Sequence, residues 1–173
     1  DKEKSSKLDA GKSLAGQVNQ EIKFEKEFSD EFIIPTLINK IRTYIFASTN
    51  KKISKHNFES IWTVRQFENE YNPTHYHSGH ISGAGFLKLP KTFGKHVQEK
   101  NVDYKGGNLQ LIHGNRLFLC PSLLDIKPKV GDFYFFPHYL MHTVFPFRGS
   151  EEERRSISFN ATIDEEIFNV YGK

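Results

Sequence analysis

The spacing of hydrophobic positions changes several times along this chain, and the changes divide it into elements. Val18, Gln20, Ile22 and Phe24 alternate with Asn19, Glu21 and Lys23, the period of a half-buried strand. Pro35 then stands where a first helical turn accepts proline, and Leu37, Ile38, Ile41 and Ile45 recur at helical spacing to about residue 47. Such a stripe predicts a helix packed on the outside of a sheet. After a polar break at 51–57, strands are predicted at 61–71, with Trp62, Val64 and Phe67, and at 81–89, with Gly83, Ala84 and Gly85 in its middle. Small residues inside a strand leave room for a close approach to the backbone. Residues 108–112 form the next strand after Gly106-Gly107, and 116–120 is predicted to pair back onto it through His113-Gly114-Asn115. Residues 121–129 read as a connection. The aromatic run 133–136 and the stretches 143–147 and 154–163 complete the strands, and 165–171 should cover an edge.

About eight strands with one early helix, and no repeated alternation of strand and helix, predict a mainly β fold. The favoured architecture is a double-stranded β-helix, or jelly roll, with the N-terminal helix packed on the outside. Residues 1–16 mix both charge signs with serine and glycine and read as a flexible N-terminal arm, leaving 17–173 as a single domain.

Composition narrows the class. The chain is 37% hydrophobic and 26% charged, with 16 phenylalanines, which is globular and strand-favouring. A net charge of +3 gives no case for nucleic acid. No apolar run approaches the roughly 20 residues that span a bilayer. The single cysteine, Cys120, forbids an internal disulfide and permits a reducing cytoplasm; it is expected to be buried and inert.

Candidate chemistry is concentrated in the histidines. His75, His77 and His80 fall within six residues, and His75 and His77, two apart on an extended chain, can face one point. His142 follows the apolar run Phe133-Tyr134-Phe135-Phe136-Pro137. A His-x-His pair with one distant histidine suits a transition metal held between barrel strands. Three ligand sets stay open: His75, His77 and His142 together, which is favoured; two histidines with water; or His77 and His142 with His75 behind them. His80 is a candidate to support a ligand, and His113 to face substrate. His56 and His96 read as solvated loop residues, and His138 is not expected to share the face of His142.

The order of His75-Tyr76-His77, Gly106-Gly107-Asn108-Leu109, Phe136-Pro137, His142 and Arg154-x-Ser156-x-Ser158-x-Asn160 resembles the 2-oxoglutarate/Fe(II)-dependent oxygenases. More narrowly it is similar to a small, prolyl-hydroxylase-like group known mostly from bacteria and phages. The resemblance covers about residues 60–162 and implies Fe(II), 2-oxoglutarate and dioxygen, with a hydroxylated product, succinate and CO2. The family's usual carboxylate ligand is absent, and His77 stands in its place. A dianionic co-substrate would then supply more of the neutralising charge. Arginine's planar fork suits a carboxylate. On an unbroken strand Arg154 and Ser156 share the inward face, which assigns them to the distal carboxylate of 2-oxoglutarate, with Arg155 the alternative if a bulge shifts the alternation. A competing reading pairs both arginines with residues 151–153 at the surface. Gln66, Tyr71, Leu87 and Tyr139 are further candidates for the co-substrate pocket, and Asn72 and Thr74 for positioning the metal loop.

The likeness to prolyl hydroxylases points to a protein residue such as proline as substrate; small amino acids and nucleobases stay open. Two other classes remain. A three-histidine cupin-like dioxygenase without 2-oxoglutarate would leave Arg154 and Ser156 unexplained, and a non-catalytic jelly-roll module would show no iron-dependent turnover. The expected location is the cytoplasm, the host's if the protein is phage-encoded.

Overall fold

Arg154–Ile163 runs through the middle of the molecule and sets its logic. Its even positions, Arg154, Ser156, Ser158 and Asn160, are polar; its odd positions from Ile157 to Ile163 are all apolar. A strand with both faces covered can separate two environments in this way. The computed structural model describes residues 7–169.

The strands in chain order are β1 (Gln20–Lys23), β2 (His56–Gln66), β3 (Asn72–His75), β4 (Ile81–Lys88), β5 (Leu109–Ile112), β6 (Leu123–Ile126), β7 (Phe133–Pro137), β8 (Met141–Val144) and β9 (Arg154–Ile163). Helix α1 (Ile34–Thr49) lies between β1 and β2, and the short α2 (Glu165–Phe168) follows β9. Two antiparallel sheets form, ordered β1-β2-β9-β4-β7 and β3-β8-β5-β6. This is the expected mainly β jelly roll.

α1 carries proline in its first turn and ends at Asn50, whose left-handed backbone (φ 55°) stops it. Its buried stripe is Leu37, Ile38, Ile41 and Ile45, and it packs on Ile61, Ile81, Ile157, Phe159, Ala161 and Ile163, the outer face of the larger sheet. Burying such aliphatic side chains contributes about 1.5–3 kcal/mol each. Between the sheets, Phe86, Leu109, Leu111, Ile126, Phe136 and Val144 form a second core. It fills one end of the interior and leaves the other open as the site.

Several local expectations change. β2 begins at His56, inside the expected polar break, because β9 extends far enough to pair His56 with Ile163. Residues 116–120 do not pair with β5; the partner is β6, from the stretch read as a connection, and Leu117 and Cys120 only bridge each other. Cys120 is exposed, not buried. The room left by Gly83 and Gly85 is taken by aromatic rings, since a Cβ on either would run into Phe133 and, at Gly83, into Phe159 at 2.6 Å. Residues 7–16 of the expected arm lie along β1, with Ala10 N–H donating to Glu21 O (2.7 Å) and Lys23 N–H to Leu8 O (2.9 Å). Residues 1–6, and residues 170–171 of the C-terminal cover, are outside the described part.

Candidate metal and co-substrate site

Sheet register brings distant residues into two facing rows. In the smaller sheet His75 on β3 is opposite His142 on β8, which is opposite Leu111 on β5. In the larger sheet Gln66 pairs with Arg154, and Val64 with Ser156, which also pairs with Phe86. A cavity of about 290 Å³ lies between, lined among others by His75, His77, His142, Arg154, Ser156 and Trp62.

One ring nitrogen from each of His75, His77 and His142 lies within 4.8 Å of the others. His75 Nδ1–H donates to Pro73 O (2.6 Å) and His142 Nδ1–H to Leu140 O (2.8 Å), so each keeps its Nε2 lone pair for the centre. His77 follows β3 and leans on Trp62 at 5.7 Å; its Nε2 lies 3.1 Å from His142 Nε2. Two nitrogens bound side by side to one metal at about 2.1 Å each stand about 3 Å apart, so this donor set fits a transition metal. Burial lowers the pKa of all three: His77 to about 3, with its histidine neighbours adding to the effect, and His142 to about 4. At neutral pH the cluster is therefore three neutral imidazoles with free lone pairs.

Arg154 is only 2% exposed. Its Nε–H donates to Gly107 O (3.1 Å), one Nη is 3.4 Å from Ser156 Oγ, and the guanidinium lies over the Phe86 ring. Among the described residues no acid pairs with it, and burial lowers its pKa to about 10, which leaves it charged. Arg155 points away and joins Arg65 on Glu153 (2.7 and 2.6 Å), with Lys88 nearby at 3.6 Å. The surface reading of the two arginines thus describes Arg155 and not Arg154.

Glu153 offers a test of that outer network. Burial alone would raise its pKa, but hydrogen bonds from Arg155 and Arg65 outweigh this and lower it from 4.5 to about 2. A depressed carboxylate contributes stability that is complete above the unfolded pKa and is lost as pH falls through the folded one. Thermal unfolding of the wild type should therefore lose more stability than Glu153→Gln between about pH 4.5 and 2, the two converging at the acid end. Parallel pH profiles would show the network to be inert.

The other candidates fall elsewhere. Gln66 is buried, but its amide donates to Glu70 O and Phe145 O; Tyr71, Leu87 and Tyr139 are exposed, and none of these four lines the cavity. Asn72 lines it, whereas Thr74 is exposed. His80 does not reach the cluster: it accepts from Ile163 N–H and stacks on Phe168. His113 is exposed on a loop, and the His96 ring contacts Val102 O. His138 braces the backbone of His77, whose carbonyl is 2.9 Å from His138 Nδ1. Three neighbours are not foreseen from sequence: Trp62 against His77, Phe86 under Arg154, and Glu21, which lines the cavity from β1. A tryptophan and a phenylalanine in strands look like ordinary core, and Glu21 sat on the face expected to be wet.

A family model described as "Putative 2OG-Fe(II) oxygenase" matches residues 60–160, more than half of the chain. No curated protein matches it. Among solved structures it is similar to a viral collagen prolyl hydroxylase from Paramecium bursaria Chlorella virus-1 in complex with 2OG. That match has 19% identity and a TM-score of 0.56, over 90% of this chain and 86% of that one. It is similar also to a Pseudomonas putida prolyl-4-hydroxylase (14%, TM-score 0.51, 83% and 70%). A third is a Trichoplax adhaerens prolyl hydroxylase in complex with a hypoxia inducible factor peptide fragment (14%, TM-score 0.51, 91% and 68%). At these identities the structures speak for the fold.

Proposed function

We propose, from the premise that this chain belongs to the 2OG-Fe(II) oxygenases, that His75, His77 and His142 hold its Fe(II) and that Arg154 with Ser156 takes the distal carboxylate of 2-oxoglutarate. The chain is a 2-oxoglutarate- and Fe(II)-dependent dioxygenase. The observation carrying the site assignment is a buried arginine without an acid, lining the same cavity as three neutral imidazoles.

Bound iron and 2-oxoglutarate would supply oxidation of a substrate C–H by dioxygen, with succinate and CO2 as co-products. The chain's own part is to hold and exclude. The imidazoles are fixed in tautomer by Pro73 and Leu140. Trp62 packs against His77 and Phe136 against His142, which holds the two rings in place. Arg154 is enclosed yet stays charged, and burial strengthens its two-pronged grip on a carboxylate.

We propose hydroxylation of a protein residue such as proline, supported by the likeness to prolyl hydroxylases. The same reading puts the protein in a reducing cytoplasm, the host's if phage-encoded; among the described residues no helix is long and apolar enough to cross a membrane. Anaerobic addition of Fe(II) and 2-oxoglutarate should give the visible charge-transfer band of the chelate, and aerobic incubation with proline-containing peptides should add 16 Da with succinate release. Iron binding without the band would favour a three-histidine dioxygenase that needs no 2-oxo acid.

A further inference from the structure

Glu21 is 3% exposed and lines the same cavity as the histidines, yet its Oε2 has no hydrogen-bond partner. Asn72, on β3 three residues before His75, has a buried Oδ1 in the same condition. These two belong together: a Cβ placed on Gly16 would lie 2.7 Å from Glu21 Oε1 and 2.7 Å from Asn72 Oδ1. Two acceptors from two sheets thus face one small space beside a residue that has no side chain to fill it.

Buried acceptors without donors are rare in folded proteins, and a buried carboxylate without a cation is rarer. Among the described residues no hydrogen bond reaches Glu21 Oε2. Burial, and after it the charge of Asp9, another acid, raise the Glu21 pKa to about 7. Arg154 is directed to Gly107 O and Ser156 instead. The row across the larger sheet runs Glu21, Val64, Ser156, so Glu21 is two strands from the arginine face, about 10 Å at ordinary strand spacing. A dianionic co-substrate held by Arg154 would be repelled at Glu21. A molecule seated at this point would need the opposite chemistry to the co-substrate's.

We propose that Glu21 and Asn72 receive a protonated nitrogen of the oxidised substrate, so that the substrate carries an ammonium or similar cation into the same cavity as the histidines. This rests on the reading of the cavity as the iron and 2-oxoglutarate site. The carboxylate gives the charge and Asn72 Oδ1 a second acceptor, which places the cation on the β1–β3 side of the cavity. The cation comes either from the α-ammonium of an amino acid or chain terminus or from a side-chain ammonium within a polypeptide.

The test is paramagnetic line broadening with Mn(II) and 2-oxoglutarate on the full chain. The probes are n-propylammonium, alaninamide for the α-ammonium source, N-acetyl-lysine methylamide for the side-chain source, and n-propanol as the neutral control. Proton lines of the ammonium probes should broaden, the control should not, and Glu21→Gln should weaken the broadening at least about tenfold. The 2-oxoglutarate lines should broaden equally in wild type and variant, which shows that the variant is folded and loaded. The ammonium source that broadens more is the one the site takes. Equal broadening of the control, or no effect of Glu21→Gln, overturns the proposal and leaves Glu21 and Asn72 as an internal pair. Loss of 2-oxoglutarate broadening in the wild type overturns the underlying site reading, and this proposal with it.

Discussion

Arg154→Met is expected to remove the response to 2-oxoglutarate while leaving the protein without co-substrate as stable as before, or more so. The two halves have one cause. Arg154 is enclosed, its pKa is lowered by burial, and its hydrogen bonds go to the Gly107 carbonyl and Ser156 with no carboxylate among them. Replacing even a buried ion pair with apolar side chains of similar volume is often neutral or stabilising by about 1–4 kcal/mol, and among the described residues Arg154 has no acid to offset its desolvation. Binding reverses the balance. Two charge-assisted hydrogen bonds to a carboxylate contribute about 1.5–3 kcal/mol each, so their loss should weaken 2-oxoglutarate by about 10² to 10⁴-fold. Arg154→Lys keeps the charge without the fork and should fall between. The measurement is titration of the Mn(II)-loaded protein by calorimetry, with melting temperature recorded before and after. A lower melting temperature with an unchanged dissociation constant would make Arg154 structural and send the distal carboxylate elsewhere.

How far the sequence reads ahead of the structure depends on what covers each strand. β9 is legible because its two sides meet unlike surroundings: Ile157 and Phe159 lie under α1, and Arg154, Ser156, Ser158 and Asn160 face a polar cavity. The helix is legible for the same reason, its stripe having one apolar surface to meet. β1 is different. It is an edge strand with Glu21 against the cavity and Phe24, just past its end, against the outer core, so alternation alone pointed to Ile22 as the buried position, and Glu21 is the more buried of the two. β6 was missed because it too is an edge, with Leu123, Leu124 and Asp125 all exposed. The more apolar Leu117, Phe118 and Leu119 nearby looked like the better strand and instead project into solvent. Within the site, the spacing of His75 and His77 suggested a shared target, but their meeting with His142 depends on the pairing of β3 with β8, a contact 67 residues long in sequence that no local pattern encodes.

His142→Ala should abolish the metal-dependent signal, and His77→Asp should keep it with altered charge. His142 is the buried member of the three, set by its pairing with His75 and by the Leu140 carbonyl. On the proposed assignment, removing it leaves two ligands, one of them on the loop after β3, and loss of a ligand's supporting partners alone weakens metal sites about 10–100-fold. Loss of a direct ligand should exceed that, so Mn(II) titration at micromolar metal should show no binding. The fold should survive, since only one side chain lining the cavity is lost and neither apolar cluster contains His142. His77→Asp restores the two-histidine, one-carboxylate set usual for oxygen-activating iron. With three neutral imidazoles the metal keeps its full double charge, which favours a dianion. An aspartate cancels part of it, so the variant should hold metal more tightly and 2-oxoglutarate more weakly, a crossing of two affinities that a merely structural histidine would not produce. If His77→Asp and His77→Ala bind metal and 2-oxoglutarate alike, His77 is not a ligand, and the set reduces to His75 and His142 with water.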